Sequence, residues 1–265
     1  MSFWRKPKKI GVALSGGGAR GLAHIGVLEV LENEGIHISA ISGTSMGSVV
    51  GALYCAGFSI KEMLEFMESN DWKRFIISTN FTLPGLPALN SRRVNKLLYK
   101  FLADKTFEDC SKSFCAVAAD IVSKKKVFIT KGKLSDAIKA SIAIPGVFEH
   151  VVKDGMILVD GGVIDPVPID AIRKMGVDFV IGVALNNIDS NEIPNSKTSI
   201  FNIINIALSM MEREIETQHF NKADIVIQPK TADFGIFDFK KASEIIEAGR
   251  IEAGKYINEI KKKLY

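Results

Sequence analysis

Strand-like and helix-like segments alternate along this chain, and that alternation limits its fold more than any other feature. Lys9-Ile10-Gly11-Val12-Ala13-Leu14 reads as a first strand, and Ala19 to Asn33 as the helix behind it. His37 to Ile41 alternates like a second strand, and a helix near 46–57 follows. Asp178 to Leu185 is apolar throughout, as in a strand buried on both faces of a parallel sheet. Helices are expected near 60–70, 91–103, 134–142 and 169–174, with a long one from Ile200 and a closing one from Ser243 to Leu264. A late strand spans Ala223 to Gln228. This order predicts a mainly parallel sheet with helices on both faces.

Two segments depart from that rhythm. Phe114 to Ile121 and Val127 to Thr130 read as an antiparallel pair, and Glu149 to Val152 with Met156 to Val159 as a hairpin around an Asp-Gly turn. Residues 75–89 are apolar and broken by prolines, so they are either a lid over a site or a loop packed on the core. Residues 186–197 are polar and turn-rich, the best candidate for a linker. Removing the last third would expose apolar faces, so residues 1–265 are expected to form a single domain.

The 265 residues are 47% hydrophobic and 24% charged, ordinary values for a globular protein with a large core. Lysine and arginine total 34 against 30 acidic residues, a net charge of +4. That is too mild to argue for nucleic acid. The positive charge gathers in Arg5-Lys6-Pro7-Lys8-Lys9 and Lys261-Lys262-Lys263, which read as solvated termini or as a weak attraction to anionic lipid. Cys55, Cys110 and Cys115 form neither a disulfide framework nor a metal-binding pattern. With no signal-peptide core at the start, they suggest a reducing, cytoplasmic setting. No run of about 18 apolar residues exists to span a bilayer.

Three short motifs carry chemistry. Gly43-Thr44-Ser45-Met46-Gly47 has the form of a nucleophile elbow, a strand-turn-helix that exposes a serine hydroxyl at its apex. Ser15-Gly16-Gly17-Gly18-Ala19-Arg20-Gly21 follows a strand and opens a helix, so its bare amides can face an anion. Asp160-Gly161-Gly162 ends another strand-like run and sets a carboxylate before two glycines. A nucleophile, a nest of donors and a carboxylate are the parts of an acyl-transfer site.

These motifs, in this order and spacing, resemble the patatin-like phospholipases, as does Ala140-Ser141-Ile142-Ala143-Ile144-Pro145-Gly146-Val147-Phe148. The resemblance covers about residues 8–230. It implies a three-layer α/β/α sandwich, no cofactor or metal, and hydrolysis of fatty-acyl esters in phospholipids, lysophospholipids or related lipids by a Ser–Asp dyad. It makes Ser45 the nucleophile and Asp160 its base. The Gly17 and Gly18 amides, with Gly16 shaping the loop, are the candidate oxyanion donors. Gly21, Gly43, Gly47, Gly161 and Gly162 support the three turns. Arg20 fixes the loop, contacts a lipid phosphate, or makes a surface salt bridge.

Rival readings remain at the sequence level. Asp160 on its own reads as a turn residue capping local amides. Gly16, Gly18 and Gly21 mimic a dinucleotide fingerprint, but the second strand runs into Ser42-Gly43 instead of an acidic residue. A Ser–Asp–His triad would nominate His219, though a histidine ending a helix more often serves the helix dipole. His24 lines the site or simply packs. Phe234, Ile236, Phe237 and Phe239 form core, an acyl-chain wall or a membrane-touching rim. An acyltransferase with the same site and a non-catalytic lipid-binding module are the alternative functions.

Overall fold

The computed structural model describes residues 8–68, 91–185, 200–236 and 238–264. The 75–89 segment and the 186–197 linker lie outside them. Eight strands form one mixed sheet: β1 (Ile10–Leu14), β2 (Ile38–Thr44), β3 (Ser113–Asp120), β4 (Lys125–Ile129), β5 (Val151–Lys153), β6 (Met156–Asp160), β7 (Phe179–Val183) and β8 (Ile225–Ile227). Hydrogen-bonded neighbours run β5-β6-β3-β2-β1-β7-β8, and β4 also pairs with β3. β1, β2, β3, β7 and β8 are parallel to one another. The antiparallel part is the two expected hairpin-like units, β3–β4 and β5–β6, with β6 also antiparallel to β3.

The helices are α1 (Ala23–Asn33), α2 (Met46–Cys55), α3 (Ile60–Glu68), α4 (Ser91–Leu102), α5 (Leu134–Ser141), α6 (Ile169–Lys174), α7 (Ile200–His219) and α8 (Ala242–Leu264). The helix expected from Ala19 begins instead as a 3-10 turn over Gly18–Leu22, because the glycine loop holds its first residues out of α geometry. Side-chain alternation along β1 separates two layers. Val12 and Leu14 join the main core with Leu28 of α1, Val50 of α2 and Ile245 of α8. Ala13, pointing the other way, packs with Ile169 and Ile172 of α6. Helices therefore cover both faces, the α/β sandwich that the resemblance implied. No helix among the described residues is long and apolar enough to cross a membrane.

One detail of register places the site. Ala116 and Val117 of β3 pair with both β2 and β4, so those two take opposite edges there. Ala118 to Asp120 pair with both β4 and β6. β2 and β6 thus share one edge of β3 and run toward each other along it. β2 ends at Thr44 opposite Val117, and β6 ends at Asp160 opposite Ala118. Two strand ends 116 residues apart in sequence stop one ladder position apart in space.

Candidate active site

Ser45 follows the end of β2 with φ 52° and ψ −123°, a left-handed backbone on a residue with a side chain. Such a conformation costs of order 1–3 kcal/mol and persists only where the surroundings enforce it. Here they do. The Ser45 N–H donates to Ser141 Oγ at 3.0 Å, and Ser141 Oγ–H donates to the Val117 carbonyl at 2.6 Å. Ser48 Oγ–H donates to the Ser45 carbonyl at 2.6 Å. Gly47 sits so close to β1 that a Cβ there would lie 2.3 Å from the Leu14 carbonyl oxygen, and one at Gly43 would meet the Gly47 carbonyl at the same distance. Only glycines allow the elbow to close.

Asp160 ends β6 with its backbone N–H on the Ala143 carbonyl at 2.9 Å. The stretch 141–143 therefore clamps both halves of the site, Ser45 through Ser141 and Asp160 through Ala143. Asp160 Oδ1 accepts from Gly162 N–H at 2.8 Å, the capping role expected of a turn aspartate. Oδ2 is buried and has no hydrogen-bond partner among the described residues. Ser45 and Asp160 are 7% and 5% exposed. The turn after Asp160 packs on the elbow, since a Cβ at Gly161 would lie 3.2 Å from Thr44 Cγ2 and 2.5 Å from the Val117 oxygen. Burial pushes the Asp160 carboxyl up from its usual 3.8 to about 6, while the neighbouring Ser45 hydroxyl and the Gly162 amide pull it back down. The Ser45 hydroxyl thus lies close enough to the carboxyl to lower its pKa.

The glycine loop closes the third side. A Cβ at Gly16 would sit 3.5 Å from Ser45 Cβ, which puts the loop directly against Ser45. Gly17 and Gly18 have φ of 139° and 57°, and a Cβ on Gly18 would strike the Ile236 carbonyl at 2.4 Å. The amides divide sharply. Gly16 N–H is committed to the Pro166 carbonyl at 3.0 Å, and Ala19 N–H to the Ile236 carbonyl at 2.8 Å. Among the described residues no acceptor meets the Gly17 or Gly18 N–H. Arg20 Nε donates to the Phe234 carbonyl at 2.6 Å, so this side chain ties the loop to the 234–236 segment. Phe234 and Phe239 pack against the main core, as the plain core reading had it, and Phe237 lies outside the described residues.

Among the described residues, His24 and His219 bond elsewhere than to Ser45 and Asp160. His24 is fully buried, with its Nε2–H on the Ser15 carbonyl at 2.8 Å. Burial holds its pKa down to about 4, against a small upward pull from that carbonyl. It braces the glycine loop as a neutral ring. His219 ends α7 with Nδ1 at 3.6 Å from Asp165 Oδ1, in a cluster with Lys126, Asp170 and Lys222. It does not bridge Ser45 and Asp160. Asp165 supports the elbow from behind, because its backbone carbonyl accepts from Thr44 Oγ1 at 2.8 Å.

Two residues escaped the sequence reading. Ser141 lay inside the stretch tied to the family, but nothing local showed its hydroxyl reaching the elbow. Glu212 of α7 lies beside the Asp160 turn, with Oε1 within 2.7 Å of where a Gly162 Cβ would be. Burial pushes its carboxyl up to about 8, helped by the charges of Asp160 and Glu216. Its signal was present: Leu208, Glu212 and Glu216 form an i, i+4 row in which two acids continue an apolar stripe. Among the described residues no group of three or more His, Cys, Asp or Glu is placed to hold a metal ion.

A mixed sheet between helical layers, with a serine elbow, a buried aspartate and a glycine loop at one strand edge, defines a class. The patatin-like phospholipase family profile matches residues 12–173, and the chain belongs to that family. It is 32% identical over 192 residues to an uncharacterised NTE family protein of Mycobacterium tuberculosis, covering 72% of this chain and 53% of that protein. It is 25% identical over 284 residues to the lysophospholipase nte1 of Aspergillus niger, covering 96% of this chain and 18% of that one. The chain spans about half the length, or less, of these relatives. Its fold matches the crystal structure of VipD from Legionella pneumophila with a TM-score of 0.58 at 14% identity, covering 96% of this chain and 67% of that one.

Proposed function

We propose that this protein hydrolyses fatty-acyl esters of lysophospholipids, phospholipids or related lipids, with Ser45 as nucleophile and Asp160 as its base. The observation that carries this reading is the convergence of β2 and β6 on one edge of β3, which sets a strained serine beside a buried carboxylate with a free oxygen. A serine hydroxyl needs a base to become a nucleophile. An aspartate lifted to about 6 is ionised at neutral pH, yet basic enough to take a proton in the transition state.

The geometry supports the following steps. Ser45 Oγ bonds to the ester carbonyl carbon as its proton passes to the Asp160 carboxylate. The carbonyl oxygen becomes an oxyanion, and the Gly17 and Gly18 N–H groups are the donors available to it. Each such donor contributes about 3–4 kcal/mol in sites of this kind. The intermediate collapses, the C–O bond to the alcohol breaks, and the departing oxygen takes the proton from Asp160. Water then attacks the acyl-serine by the same route, releasing the fatty acid and restoring Ser45. Lipid as substrate class rests on family membership and on the name of the Aspergillus niger relative.

Purified protein given acyl esters of graded chain length, with and without a phospholipid head group, should release fatty acid. Ser45→Ala should stop that release and stop labelling by a fluorophosphonate probe. Turnover by Ser45→Ala at the parental rate would sink the assignment.

A further inference from the structure

We infer that the protein docks on the surface of an anionic lipid bilayer through the tip of its antiparallel strands, formed by Ile121, Val122 and Val152 with Lys124, Lys125 and Lys153. Three exposed apolar side chains at one place are the first observation. Ile121, Val122 and Val152 are 53%, 58% and 69% exposed, whereas most other branched aliphatics among the described residues are buried. They are neighbours through the sheet lattice: Val152 pairs with Ile157, whose carbonyl accepts from the Ile121 N–H at 3.0 Å.

Their position is the second observation. β1 and β2 deliver the glycine loop and Ser45 at their C-terminal ends, and β3 runs parallel to them. β3 continues past the level of Thr44, so Ile121 projects about 13 Å beyond it at about 3.3 Å per residue. The apolar tip therefore leads at the same end of the sheet as the candidate site.

Charge is the third, and it selects the partner. Lys124, Lys125 and Lys153 are exposed and make no ion pair among the described residues. At the tip these three lysines outnumber two carboxylates, the exposed Asp154 and the buried, ionised Asp120, whose oxygens accept from Val122 N–H, Ser123 N–H and Oγ–H, and Ile157 N–H. A cavity of about 240 Å³ next to the β5 edge adds Lys131 and Lys139 over an aliphatic floor of Ile129, Val151 and Leu158. Its acid is Asp136, and the cavity's Lys133 is already paired with Asp104. Aliphatic side chains ringed by unpaired lysines suit a surface that is apolar below and negative above. The basic cluster at 261–263 suits it less, because Lys261 pairs with Glu34 and Lys263 with Glu259.

This inference leans on the lipid reading only for the reason a bilayer is needed. It is tested by binding without turnover, so the two can fail separately. The full chain is sedimented with vesicles of phosphatidylcholine alone and of phosphatidylcholine mixed with phosphatidylglycerol, at low and high salt. Binding is expected to the mixed vesicles and to weaken with salt. The triple variants Lys124→Glu/Lys125→Glu/Lys153→Glu and Ile121→Ser/Val122→Ser/Val152→Ser should each lose at least about tenfold in that binding. Both should keep the parental melting temperature and hydrolysis of a soluble short-chain ester. No parental binding, equal binding to both vesicle types, or parental affinity in both variants would overturn the proposal. So would a parental dimer that the apolar variant converts to monomer, which would make the tip an interface between copies of this chain.

Discussion

As the proposed base, Asp160 faces opposed demands. A base must be charged at neutral pH, yet its surroundings are dry and leave one of its oxygens without a partner. Its carboxyl titrates near 6 in the folded chain against 3.8 when exposed. The unfolded chain thus ionises first, and folded stability falls as pH rises through this window, by about 3 kcal/mol in all. Asp160→Asn removes that cost. It should lower kcat by at least about a thousandfold. Its stability relative to the parent should also climb between about pH 4 and 6 and level off above, as read by urea unfolding across pH. A gap that does not change with pH would mean that Asp160 is not buried as a charge. In the parent, kcat/KM should rise with pH to a plateau with its midpoint near 6. Glu212, lifted to about 8 beside Asp160, also has its folded value above the exposed one. Glu212→Gln should therefore gain stability over the parent as pH rises from about 4.5 to 8, and any change in activity near pH 8 should vanish with it.

Among the elements, the elbow depends on side chains from other strands and helices. Ser141 comes from the end of α5, and its hydroxyl links the Val117 carbonyl to the Ser45 amide. Ser141→Ala leaves both buried groups unpaired, which costs about 1–3 kcal/mol. Because the lost bond positions the proposed nucleophile, kcat should fall with KM little changed, and a parental kcat would show that Gly43 and Gly47 hold the turn unaided. The two helix faces were legible from period and the strands from apolar runs. Boundaries shifted where geometry outside the segment intervened. The second strand, read to Ile41, runs to Thr44 because β3 supplies hydrogen-bond partners that far. The first helix starts late because Gly17 and Gly18 impose left-handed turns.

For the molecule as a whole, α8 decides whether the domain stands alone. It crosses α1 so closely that a Cβ on Gly249 would lie 2.1 Å from the Ala23 carbonyl, and one on Gly26 would lie 2.1 Å from that of Ile246. Ile245, Ile246, Ile257 and Ile260 of α8 are buried in the main core. Deleting 242–264 should strip that face and leave a chain that aggregates or is quickly cut by protease; a cooperative melt near the parental temperature would instead make α8 an accessory. The sequence by itself determined the layered α/β plan and the three glycine-flanked turns and singled out Ser45 and Asp160 as candidates, because local periodicity and the steric demands of tight turns are written in neighbouring residues. Only the tertiary structure decided that β2 and β6 meet on one edge of β3, that Ser141 and Glu212 border the site, and that the Gly17 and Gly18 amides are left unpaired while Gly16 is not. Those are contacts between segments far apart along the chain, and no short stretch of sequence contains both partners.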